Sequence, residues 1–144
     1  MTSAEKTALV EQILLRAAEQ LGDVTAPVLT AYYERVPESK TAFEHHAGVN
    51  RSQLEGEMVE NSLYCLMNWF ESPGEIEMLL AGSVPHHEET LQVPPHWYEE
   101  LLEATAEVIA ATIPADQTDE RAAWDELRRD LRALIRNSAP IPSS

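Results

Sequence analysis

The sequence predicts an all-α fold of about seven helices, and three observations carry that expectation. Glycine is scarce, five in 144 residues, and the prolines fall at the boundaries of apolar segments, which suits helices joined by short corners. Apolar residues recur at three- and four-residue spacing along most of the chain. No segment shows sustained period-two alternation, so no strand is expected.

The first helix spans Ser3 to Leu21, with Leu9, Val10, Ile13, Leu14, Ala17 and Leu21 on one stripe. Ser3 is its expected N-cap and Gly22 its stop. Val24 to Val36 is the second, with Pro27 in its first turn and Val28, Leu29, Tyr32, Tyr33 and Val36 on one face. Pro37 to Phe43 reads as a short helical turn opened by proline. Glu44 to Asn50, with His45 and His46, reads as a polar loop exposed to solvent, from which either imidazole could reach an acidic group of a ligand. A long helix follows from Ser52 to Phe70, with Leu54, Met58, Val59, Ser62, Leu66 and Trp69 at helical spacing and Ser72 and Pro73 as its stop. Gly74 to about His87 is another, turning Ile76, Leu79, Leu80 and Val84 inward. Pro95 to Ile113 is strongly amphipathic through Tyr98, Leu101, Leu102, Thr105, Val108 and Ile109. The last helix, Asp116 to Arg136, has Thr118 as its cap and Ala122, Trp124, Leu127, Leu131, Leu134 and Ile135 on its apolar side. Residues 1–138 are expected to make one domain, and 139–144 a frayed, disordered tail.

Composition narrows the functional classes. A formal charge of −15, with only Lys6 and Lys40 as lysines, repels phosphate backbones and anionic lipid, so neither nucleic acid nor membrane is an expected partner. No apolar run approaches the ~20 residues of a membrane span, and the polar N-terminus does not resemble a signal peptide. The single cysteine, Cys65, sits in the apolar run from Leu63 to Met67 and is expected to be a buried, inert thiol in a reducing cytoplasm. The cluster from His86 to Glu89 lacks a second ligand pair at zinc-like spacing, which argues against a metal site of that kind.

The segment from Ser83 to Tyr98 carries the chemistry. A histidine pair closes one apolar helix, Val93, Pro94 and Pro95 turn a corner, and an aromatic-rich helix follows at once. In an all-helical domain this arrangement presents an imidazole to a large flat ligand such as haem. Adjacent histidines on a helix point about 100° apart, so only one of His86 and His87 can face an iron.

Four landmarks in order make the chain resemble the bacterial haemoglobins, single-domain members of the globin family with a three-on-three helical sandwich. Tyr32 to Val36 is similar to an aromatic-Tyr-acid-Arg stretch of that family's second helix. Pro37 and Phe43 match its proline and phenylalanine six apart. His87, followed by Val93, Pro94 and Tyr98, resembles its proximal histidine, corner and helix-opening tyrosine. Thr118 to Trp124 resembles the start of its last helix.

The resemblance implies haem b with its iron on His87, or alternatively His86, and the opposite position open to O2, NO or CO. Phe43 would wedge against the porphyrin; Leu54 and Met58 would line the open side, and Val84, Leu91, Val93 and Leu101 the histidine side, near Tyr98. The flanking Tyr32, Glu34 and Arg35 favour Tyr33 as the residue facing bound gas, which requires that the second helix has lost about three residues relative to the family; without that loss it is Leu29. A one-residue slip at Leu54 would make it Gln53. Storage, delivery, sensing and NO detoxification all share such a site. Detoxification by NO dioxygenation consumes electrons, and 144 residues leave no room for a flavin or nicotinamide domain, so turnover would need a separate reductase and sensing a separate signalling partner. Plain gas binding by a monomer or homodimer ranks ahead of an enzyme role. The alternative class is a haem-less globin-like sensor or adaptor acting through protein–protein contacts.

Overall fold

The computed structural model describes residues 1–46, 50–80 and 95–138, and among them every regular element is a helix. In chain order these are α1 (Ser3–Leu21), α2 (Thr25–Arg35), α3 (Pro37–His46), α4 (Arg51–Asn68), α5 (helical over 73–80), α6 (Pro95–Ala110) and α7 (Thr118–Ser138). Seven helices without strands agree with the predicted class.

The ends follow from local chemistry. Thr2, not Ser3, caps α1: its Oγ1 accepts the Glu5 N–H at 3.1 Å, the first half of a Thr-x-x-Glu capping pattern. Gly22 ends that helix at φ 65°, a left-handed value that favours glycine, and returns its N–H to Ala18 O at 2.9 Å. α2 begins at Thr25, whose N–H goes to Asp23 Oδ1 at 2.9 Å, and Pro37 starts α3 directly after the Val36 cap.

Several boundaries differ from expectation. α3 continues through His45 and His46, so these residues belong to a helix rather than to a loop. Among its described side chains only Ser39 and Phe43, four residues apart, are buried, which leaves no amphipathic signature. α4 runs from Arg51 and stops at Asn68, and α6 stops at Ala110 before a turn. Thr118 is the first residue of α7 rather than its cap. The expected tail, 139–144, lies outside the described residues, as do Val84, His86, His87, Leu91 and Val93.

α6 is the hub, packing most extensively on α2 and α7 and also on α4 and α1. Its two sides serve two hydrophobic cores. Tyr98, Leu102, Ala106 and Ile109 join α1, α4, α5 and α7 in a larger cluster around Trp124, which is fully buried. Leu101 and Ala104 join α2, α3 and α4 in a smaller cluster with Val28, Tyr32, Phe43, Met58 and Val59. Each fully buried Leu or Ile contributes about 2 kcal/mol, so α7, burying Leu127, Leu131 and Ile135, is held mainly by this burial.

Arginines tie the helices together at the edges of the two cores. Arg16 grips the buried Glu120 through two hydrogen bonds of 2.6 and 2.8 Å, joining α1 to α7. Arg128, Arg132 and Arg136 of α7 hold the buried carboxylates of Glu99 and Glu103 on α6 at 2.7–3.2 Å. Arg35 of α2 reaches Glu100 and Glu107. A strongly acidic chain thus uses its few arginines as interhelical clamps.

Candidate functional site

The smaller core is where the expected ligand-lining residues meet. Phe43 from α3, Met58 from α4 and Leu101 from α6 are at most 8% exposed and belong to one cluster. Leu29 and Tyr33 from α2, Leu54 from α4 and Trp97 from α6 pack against it but stay partly exposed. Four helices therefore converge on one apolar wall whose outer members are only half covered. Helical spacing explains the convergence: Leu54 and Met58 are four apart on α4, as are Leu29 and Tyr33 on α2, and Trp97 and Leu101 on α6.

One polar group borders this wall. The Tyr33 hydroxyl donates to Glu55 Oε2 at 2.5 Å, and Arg51 Nε stands 3.4 Å from Glu55 Oε1. The Arg51 guanidinium carbon lies 5.9 Å from the centre of the Tyr33 ring, and the same side chain reaches Glu44 at 3.3 Å. Burial, and then the adjoining Glu55 carboxylate, push the Tyr33 phenol well above its ordinary pKa. The phenol is neutral at any physiological pH, and its one proton is committed to Glu55.

The remaining candidates separate. Gln53 is exposed and donates through Nε2 to Glu57 at 3.2 Å along its own helix. Tyr98 is 5% exposed and packs in the larger core rather than with Leu101. His45 is exposed on α3. Both candidate ligands, His86 and His87, and the apolar residues Val84, Leu91 and Val93 lie outside the described residues; Ile76 and Leu80, which precede them in the chain, and Tyr98, which follows, are buried in the larger core. Among the described residues no three His, Cys, Asp or Glu side chains gather as a metal site would need. No described helix is long and apolar enough to cross a membrane. Cys65 is fully buried, and burial pushes its thiol up to about 12, as expected of an inert core sulfur.

The sequence reading passed over Trp97, Glu55 and Arg51. Trp97 stands four residues before Leu101, the spacing that puts two side chains on one helical face. Arg51 and Glu55 form an i, i+4 pair, a pattern usually left on the surface; here α2 covers it.

A family model described as Globin matches residues 26–133, from the first turn of α2 deep into α7. Neither a curated protein nor a solved structure matches the chain.

Proposed function

The chain belongs to the globin family, whose model covers residues 26–133 of its 144, and from that premise we propose that it binds haem b and, at the iron, reversibly binds a diatomic gas. Such an iron, held by a single neutral imidazole, leaves one coordination position free for O2, NO or CO. The observation that supports this best is that Leu29, Leu54 and Trp97 stay partly exposed along the edge of the buried apolar cluster of Phe43, Met58 and Leu101. A flat apolar group laid on that edge would cover the exposed apolar surface of Leu29 and Leu54.

The residues divide the work as follows. His87 would hold the iron, with His86 as the alternative. Phe43 and Met58 would pack on the ring and, with Leu54, keep water out of the gas side. Leu101 would close the wall from α6. We assign the gas-facing position to Leu29 rather than to Tyr33 or Gln53. Tyr33 gives its proton to Glu55, and Gln53 is exposed and pairs with Glu57. A gas side without a donor forgoes the ~1–2 kcal/mol that a hydrogen bond gives to polar bound O2 but not to CO.

The bacterial three-on-three subtype, residues 1–138 as the working unit, a cytoplasmic location and a monomeric or homodimeric state complete the proposal. The proposed activity is reversible gas binding.

The test is spectroscopic. Protein expressed with a haem supply should purify red, and its reduced form should shift its strong visible-edge band on adding CO. Colourless, helical protein that ignores added haemin would refute haem binding and leave the haem-less adaptor class. His87→Ala should abolish haem uptake while His86→Ala keeps it; uptake unchanged in both variants overturns the ligand assignment.

A further inference from the structure

One cavity borders the smaller core through Val24 and Val59 but is lined by none of the residues proposed to hold haem. It has a volume of about 400 Å³ and opens between the end of α1, the start of α2, α4 and α6. Ala17, Val24, Val59 and Ile109, each 8% exposed or less, make its floor, and Leu14 and Leu63 make its walls. None of Phe43, Leu54, Met58, Leu101, Leu29 or Tyr33 lines it. Its size falls in the range typical of small-molecule sites, roughly 300–1,000 Å³.

Its origin is legible in the chain. α1 ends in the small residues Ala17, Ala18 and Gly22, where larger side chains would fill the space between α1 and α4. The left-handed turn at Gly22 then carries the chain to Asp23 at the rim.

The rim is charged with one sign. Asp23 and Glu60 are both exposed at the mouth, no Lys, Arg or His lines the cavity, and neither carboxylate is in an ion pair among the described residues. We propose that this cavity is a binding site for a small hydrophobic amine or quaternary ammonium, its apolar body on the Ala17–Val24–Val59–Ile109 floor and its cationic head between Asp23 and Glu60. The whole protein's charge of −15 favours the same sign of ligand and opposes an anionic amphiphile. Asp23 stays ionised at neutral pH, since the Thr25 hydroxyl and N–H hydrogen bonds hold its carboxyl below the ordinary carboxylate range.

The full chain is titrated with hexyltrimethylammonium, with hexanol and with hexyl sulfate, each below its aggregation concentration, and amide NMR shifts are followed. The ammonium probe should saturate at one site, with shifts at Ala18, Val59 and Leu63, and should bind at least about fivefold more tightly than the other two. Asp23→Asn with Glu60→Gln should remove that preference while leaving hexanol binding unchanged. Ala18→Trp, at an exposed position, should block all three probes without lowering the thermal midpoint. Equal affinity for the three probes, shifts centred on Phe43 and Leu101, or undiminished binding to the Ala18→Trp protein would each overturn the proposal. Because no step involves haem, a negative result here leaves the gas-binding proposal standing, and the reverse holds too.

Discussion

Tyr33→Phe separates the two roles open to the residue beside the apolar wall. The substitution removes one oxygen, the donor of the 2.5 Å bond to Glu55. A hydrogen bond to a charged acceptor contributes about 1.5–3 kcal/mol, and because Glu55 keeps Arg51 at 3.4 Å, the loss should fall at the low end, about 1.5 kcal/mol. Urea unfolding should therefore show a lower midpoint with an unchanged slope. In the haem-loaded protein, with Leu29 facing the gas, the O2 dissociation rate should stay within about twofold of the parent. If the phenol instead bonded to the gas, losing ~1–2 kcal/mol would speed dissociation roughly five- to thirtyfold. Stopped-flow displacement of O2 by CO reads that rate directly. Accelerated release with little loss of stability would refute the assignment of Leu29 and the commitment of Tyr33 to Glu55.

Three further outcomes follow from the fold. Gly22→Ala should cost about 1 kcal/mol by chemical denaturation, from the φ of 65° alone, because an added Cβ meets nothing within 4 Å; a neutral result would mean that the turn is not left-handed. Trp124→Phe should cost about 2 kcal/mol, since the indole is fully buried and its Nε1 donates to Ala106 O at 3.0 Å; an unchanged thermal midpoint would contradict its place at the centre of the larger core. Stability should fall on the alkaline side: the folded Cys65 thiol is raised to about 12 from an ordinary 9.0, so its contribution is complete below pH 9 and is lost as pH rises toward 12. The slope is at most about 1.4 kcal/mol per pH unit, and Cys65→Ala should remove it between pH 9 and 10; identical slopes in the two proteins would show that the thiol reaches solvent.

What the sequence made legible was whatever depends on periodicity. The stripe Val10, Ile13, Ala17 and the stripe Trp124, Leu127, Leu131, Ile135 both lie buried where their spacing puts them. The errors have local causes. Thr2 and Ser3 are equally able caps by type, and only Glu5, three residues beyond Thr2, distinguishes them. α3 runs on through the polar Glu44, His45 and His46 because no glycine or proline interrupts them, and polarity alone does not break a helix. Glu55, Glu99, Glu103 and Glu120 are all buried, contrary to the usual habit of glutamate, because each has an arginine partner. Arg16 and Glu120 stand 104 residues apart, and no local pattern announces such a pair. The commitment of Tyr33 to Glu55 was hidden for the same reason, being a contact between two helices rather than a property of either.

The segment proposed to carry the iron ligand is framed by well-fixed neighbours. Before it, Ile76 and Leu80 of α5 are fully buried in the larger core; after it, Tyr98 and Leu102 of α6 are buried in the same core. The first turns of α6 are also tied to α7, since Glu99 is shared by Arg132 and Arg136, and Glu103 by Arg128 and Arg132. Each carboxylate keeps one cation if a single outer arginine is lost, so the helix holds its position against α7 through redundancy rather than through one strong bond. α6 in turn carries Leu101 and Trp97 into the smaller core, on the other side from Tyr98. The helix that follows the histidine segment is thus the element that also supplies part of the apolar wall. Any shift of α6 would move its residues in both cores together, and the arginine pairs to α7 oppose such a shift.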